Sequence, residues 1–103
     1  MEQTLIDEIV RRIVEVANPD RIILFGSASQ GKGEKANDVD LLVVKTGVPH
    51  RRRLAQQIHL KMFGIGFPID ILVATPQDIQ EQRNKVGSIV GVALREGVEI
   101  YAA

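Results

Sequence analysis

The sequence predicts an α/β domain of the α+β kind, with a mixed central sheet of about four strands flanked by helices. Three observations carry that prediction. Short β-rich apolar runs alternate with segments whose apolar residues recur at helical spacing. A length of 103 residues suits one compact core, since folding at this size buries roughly 65% of the surface the unfolded chain exposes. A composition of 45% hydrophobic and 25% charged residues is that of a globular domain rather than a disordered tail. No linker, repeat or low-complexity stretch divides the chain, so residues 1–103 read as a single domain.

Over residues 4–17, Leu5, Ile6, Ile9, Val10, Ile13, Val16 and Ala17 recur at helical spacing, with Glu8, Arg11, Arg12 and Glu15 elsewhere around the wheel. Asn18-Pro19-Asp20 stops this first helix, because proline cannot continue the hydrogen-bond ladder. Arg21-Ile22-Ile23-Leu24-Phe25 follows as a strand ending in Gly26-Ser27, and a polar, glycine-bearing loop occupies residues 28–37. Asp38-Val39-Asp40-Leu41-Leu42-Val43-Val44 enters a second strand with no polar interruption after Asp40, the pattern of a central strand covered on both faces.

Pro49 is expected to open a second helix to about Met62, with Leu54, Ile58 and Met62 on one stripe and Arg51 to Arg53 in the first turn, against the helix dipole. A third strand, residues 67–74, carries Asp70 between apolar neighbours. Thr75-Pro76-Gln77-Asp78 starts a helix, with Thr75 as cap, Pro76 at the first helical position and Asp78 in the capping-box position. A last helix over residues 87–96 turns Ile89, Val90, Ala93 and Leu94 inward. It ends at Gly97, expected as a left-handed terminator, before a short strand over residues 98–101.

Lys plus Arg equals Asp plus Glu at 13 each, so no global field draws the chain to nucleic acid or an anionic membrane. The absence of cysteine removes disulfides, thiolate catalysis and thiolate metal sites together. No apolar run approaches the ~20 residues of a membrane helix, and the N-terminus is an acidic amphipathic segment rather than a signal peptide. A cytoplasmic protein without a membrane partner is expected. One tyrosine and three phenylalanines leave little for base stacking, which disfavours a nucleic-acid surface.

The chemistry concentrates on a few residues. In an extended strand Asp38 and Asp40 share a face, their Cα atoms roughly 6.6 Å apart. Two carboxylates on one side repel, and divalent cations remove that repulsion, since Mg²⁺ takes a few carboxylates with phosphate oxygens and water. Upstream, Gly26 allows close backbone approach to a phosphate and Ser27 supplies a hydroxyl and an N–H. An isolated Asp-Val-Asp is ordinarily a solvated strand end. Here it follows an apolar strand, a Gly-Ser and ten residues, and leads into a second apolar strand, a much rarer conjunction. Asp70, inside an apolar run, needs a partner if it is buried. A metal shared with Asp38 and Asp40 supplies one; an ion pair with an arginine such as Arg83, or a water-facing strand edge, stays open.

Phe25-Gly26-Ser27, ten residues, Asp38-Val39-Asp40-Leu41-Leu42-Val43, then Ile69-Asp70-Ile71-Leu72 resembles the minimal nucleotidyltransferases of the DNA polymerase beta superfamily. The closing Ala93-Leu94-Arg95-Glu96-Gly97 and the apolar stretch with Tyr101 are similar to that family's last helix and strand, so the resemblance covers nearly the whole chain. It implies the small nucleotidyltransferase fold. It also implies Mg²⁺-dependent transfer of a nucleoside monophosphate, AMP from ATP or the equivalent from another NTP, to a hydroxyl acceptor. Gly26 and Ser27 would hold the triphosphate, Asp38 and Asp40 would ligate two Mg²⁺ ions, and Asp70 would bind the catalytic metal and serve as or position the base.

Stand-alone domains of this length in the resembling family are commonly antitoxins that silence a HEPN-type toxin by adding AMP to one of its tyrosines. The sequence departs from the pattern at Ala28-Ser29-Gln30, where many members carry arginines, and at Asn37, often serine. Lys32 and Lys35 offer replacement cations, though lysines in such a loop are ordinarily just solvated. Two other readings therefore stand beside the enzyme: a nucleotide-binding module that neutralises its partner by occlusion, and an accessory subunit of a larger nucleotidyltransferase. A homo-oligomer stays open. Outside the motif, His50 with Arg51 to Arg53 reads as a solvated helix start, and His59, between Ile58 and Leu60, as structural.

Overall fold

The computed structural model describes residues 2–26 and 39–103; Ser27, Asp38 and the expected loop over residues 28–37 lie outside the described residues. The order is α1 (Gln3–Ala17), β1 (Arg21–Phe25), β2 (Val39–Val44), α2 (Arg51–Leu60), β3 (Ile69–Ala74), α3 (Pro76–Gln82), α4 (Ile89–Glu96) and β4 (Val98–Ala102). The four strands form one mixed sheet in the order β3-β2-β1-β4. β1 is antiparallel to both β2 and β4, whereas β2 and β3 run parallel through the α2 crossover. The expected α/β architecture is the observed one.

Strand alternation divides the core into two. On one face Ile22, Leu24, Val39, Leu41, Val43, Ile69 and Val73 pack with Ile9 and Ile13 of α1 and Ile58 of α2. On the other, Ile23, Phe25, Leu42, Val44 and Ala74 pack with Val90 and Ala93 of α4. β2 is covered on both faces, as its unbroken apolar run implies, and only Asp40 along it is less than buried. No helix of the described residues is long and apolar enough to cross a membrane.

Thr75 and Asp78 form the capping box read from the sequence: the Asp78 N–H donates to Thr75 Oγ1 at 3.1 Å and the Thr75 N–H to Asp78 Oδ2 at 2.9 Å. Three local expectations are corrected. α2 starts at Arg51 rather than Pro49, with His50 at its N-cap and Pro49 outside it. Gly97 is not left-handed, since it adopts φ −82° and ψ 169°. It is glycine because any Cβ there would strike the Ala93 carbonyl and press on Ile23 and on the Leu24 carbonyl at 2.9 Å, where α4 turns onto β1. The left-handed helix terminator is instead Asn18, at φ 44°, whose N–H donates to the Val14 carbonyl. His59 is exposed on α2 and not part of the core.

α1 also fixes the far end of α2. Arg12 is held by Glu8 on its own helix at 3.0 Å, and donates to the carbonyls of Lys61 at 3.1 Å and Phe63 at 3.0 Å. These carbonyls follow the last turn of α2, where acceptors lack intrahelical partners.

Candidate active site at the open end of the sheet

Four neighbouring positions build the site. In the β1–β2 register Phe25 stands opposite Asp40, and in the β2–β3 register Asp40 stands opposite Asp70. Residues paired across a sheet share a face, so the two carboxylates lie side by side on strands about 4.8 Å apart. That face is the α4 side, and its apolar core ends at Phe25, level with Asp40, and at Leu42 and Leu72, one step short of the acids. The acids therefore sit where the sheet runs out of helix cover.

Gly26 closes the site from β1. Its φ of +78° is left-handed, and a Cβ added to it would strike Asp40 Oδ2. Both facts demand glycine, the first through backbone sterics and the second because the Asp40 carboxylate occupies the space a side chain would take. The Gly-Ser turn and the Asp strand read from the sequence thus converge at Gly26 and Asp40. Ser27 and Asp38, the other members of the expected set, lie outside the described residues.

Asp70 is exposed, on an edge strand. The water-facing strand edge left open from the sequence is thus the observed placement, and what Asp70 stands against is a like charge, Asp40. Arg83 donates no ion pair to it among the described residues, where the arginine pairs run to Glu8, Glu15, Glu99 and Asp78.

Two adjacent carboxylates with an open side are a hard-oxygen donor set. Mg²⁺ is held by one or two carboxylates, with phosphate oxygens and water completing its octahedron, and the pair fits that demand. No group of three His, Asp or Glu side chains among the described residues is arranged for a metal, so these two acids are what the described residues contribute.

A groove of about 520 Å³ runs beside the site, between α2 and the free edge of β3, lined by Arg52, Gln56 and His59 on one side and Ile69, Asp70 and Ile71 on the other. Arg52, expected in a solvated helix start, and His59, expected as structural, both stand on this groove. The signal that could have found the groove is that α2, RRRLAQQIHL, contains no acid.

A solved structure described as "Crystal structure of the toxin-antitoxin with AMP-PNP" contains a chain similar in fold to this one, with a TM-score of 0.64 at 20% sequence identity, covering 95% of this chain and 73% of that one. No curated protein matches the chain. A family model described as "Nucleotidyltransferase domain" matches residues 5–99, nearly the full length and through both aspartate strands, and the chain belongs to that family.

Proposed function

We propose that this nucleotidyltransferase domain is a catalytic antitoxin that moves AMP from ATP onto a hydroxyl of a partner toxin, a tyrosine of a HEPN-type protein, in the cytoplasm. The observation that carries this reading is the side-by-side register of Asp40 and Asp70 on one open face, with Gly26 packed against the Asp40 carboxylate. Fold similarity to a chain of a toxin–antitoxin structure described with AMP-PNP supports the choice of nucleotide and partner.

In this mechanism Asp38, Asp40 and Asp70 would hold two Mg²⁺ ions, while Gly26 and Ser27 would receive the triphosphate through main-chain N–H groups and the Ser27 hydroxyl. The bound ions would neutralise charge on the phosphates and on the entering and leaving oxygens. The acceptor oxygen attacks the α-phosphorus in line, the bond from that phosphorus to the bridging oxygen breaks, and pyrophosphate departs. Asp70, the exposed acid, takes the hydroxyl proton or orients the hydroxyl that loses it; Asp40, wedged between Phe25 and Asp70, stays fixed.

Intact-mass measurement of the partner after incubation with the domain, ATP and Mg²⁺ tests the reading, and a gain of one AMP unit is the expected result. The occlusion reading has one observation in its favour, the replacement of the expected arginines by Ala28-Ser29-Gln30. It requires Asp70→Asn to neutralise the toxin as well as wild type and toxicity to return when the proteins are separated.

A further inference from the structure

Among the described residues β3 is the last strand on its side of the sheet, and its main chain presents an ordered row of groups on the side away from β2. The Val39 N–H bonds the Pro68 carbonyl at 3.0 Å and the Lys45 N–H bonds the Ala74 carbonyl at 2.9 Å, so even-numbered residues of this strand turn their main-chain groups toward β2. Alternation turns the N–H and C=O of Ile69, Ile71 and Val73 outward. No strand among the described residues pairs with them. Along this edge runs the groove walled by Arg52, Gln56 and His59. α2 carries no acid; Arg51 is taken by Asp78, while Arg52 and Arg53 are exposed and have no acidic partner among the described residues. At Leu60 and Ile69 the groove continues onto an apolar shelf that includes Leu60, Phe63 and Phe67, which are 76%, 90% and 44% exposed.

We propose that the β3 edge and the α2 wall are the acceptor-docking site, occupied by an extended acidic segment of the partner protein that adds as a strand beside β3 and carries the acceptor hydroxyl opposite Asp70. This rests on the reading of the domain as a transferase to a protein hydroxyl. The geometry sets the pattern of the segment. Because the main-chain groups of Asp70 face β2, an antiparallel neighbour at that position forms the non-hydrogen-bonded kind of pair, in which side chains stand closest and Cα atoms are about 4.5 Å apart. Its side chain then lies on the same face as Asp70 and Asp40, where a hydroxyl is needed. The residues before and after it point to the opposite face, under α2, where Arg52 and His59 favour acids. The favoured acceptor is therefore a hydroxyl residue between two acidic ones, in extended backbone. A peptide satisfies the outward main-chain groups of Ile69, Ile71 and Val73; an RNA has no complement for them.

The test is an amide NMR titration of the whole chain with a synthetic strand-forming peptide bearing one tyrosine between two glutamates. The Ile69, Ile71 and Val73 amides should shift and gain protection from hydrogen exchange. Lysines in place of the glutamates, or N-methylation of alternate peptide bonds, should remove the effect. Arg52→Glu, at an exposed position, should weaken binding by about tenfold while leaving the melting temperature alone. Docking at β3 without AMP transfer would retain this site and count against the transferase reading. Transfer to the cognate partner that is indifferent to Arg52→Glu, together with unmoved β3 amides, would overturn the docking site and leave the transferase standing. Displacement of the peptide by single-stranded RNA at those same amides would also overturn it.

Discussion

β2 and β3 are written almost alike, Val39-Asp40-Leu41-Leu42-Val43-Val44 and Ile69-Asp70-Ile71-Leu72-Val73-Ala74, and they pair residue for residue. They nevertheless meet water differently. Between β1 and β3, every residue of β2 except Asp40 is buried; on the edge, Asp70 is exposed and Ile71 and Leu72 are half-buried. The pattern of a strand decides which face each side chain takes, and its place in the sheet decides how much solvent reaches it. For the site this separates two roles that identical side chains would otherwise share. The central acid is held between Phe25, Gly26 and its neighbour, while the edge acid can meet an incoming group.

The largest test of that division is loss of either acid. Asp40→Asn and Asp70→Asn should each cut transfer by more than about a hundredfold, since losing one transition-state electrostatic contact costs roughly that much. Asp70→Asn should not lower the melting temperature, because it removes one of two adjacent like charges at an exposed position. Unchanged activity in either variant would end the metal-site reading. The packing half of the comparison follows. Leu41, fully buried in β2, should cost about 2–5 kcal/mol when cut to alanine, and its register partner Ile71 about 1–2 kcal/mol. Equal costs in chemical denaturation would show that the edge is closed by something not described here.

Gly26→Ala sharpens the claim that Asp40 is fixed from the β1 side. The left-handed φ of +78° adds strain of about 1–3 kcal/mol for any other residue. The new Cβ also displaces the Asp40 carboxylate, so activity should fall further than stability alone explains. A variant as active as wild type, per folded molecule, would show that Asp40 tolerates displacement.

Much of this was legible in advance because it is local. Helical spacing in α1, the apolar run of β2 and the Thr75–Asp78 box are patterns within a few residues of chain, whereas Gly26, Asp40 and Asp70 are spread over 45 residues and are brought together only by the register of three strands. Strand order is not local. The unbroken run after Asp40 marks β2 as central, but the nearly identical run around Asp70 does not tell whether β3 is central or an edge, so a shared metal, an ion pair and a water-facing edge all stand open for Asp70 until the sheet is assembled. Gly97 differs for a related reason: its signature matches a left-handed cap, but the constraint is crowding, in part by the Ala93 carbonyl of its own helix and in part by Ile23 and Leu24, more than 70 residues away in sequence. The α2–β3 groove was invisible because Arg52 and His59 acquire meaning only when the edge of β3 is placed beside them. Ser27 and Asp38 remain expectations of the motif.

The smallest predicted effect concerns how the edge strand is secured at its far end, where no second strand helps. Arg51 of α2 reaches Asp78 at the start of α3 with its Nη2 2.9 Å from Oδ1, and Asp78 also closes the cap on Thr75. The Arg51 guanidinium, with help from the Thr75 N–H and hydroxyl, holds the Asp78 carboxyl below the usual carboxylate range. A carboxyl depressed in the folded state stabilises that state fully above its unfolded value, about 3.9, and loses the contribution as pH falls through the folded value. Stability from this group should therefore be flat from neutral pH to about 5 and decline only in more acidic solution. Thr75→Ala, which removes the hydroxyl acceptor but keeps the ion pair, should cost about 1 kcal/mol across that whole range. Asp78→Asn keeps an acceptor for the Thr75 N–H but no charge, so its deficit against wild type in thermal melts should be small at neutral pH, shrink in high salt, and vanish once the pH has fallen below the depressed value of the folded state. A deficit that persists there would assign the work of Asp78 to the cap alone, and the edge strand would then be held at that end by α3's own start rather than by its tie to α2.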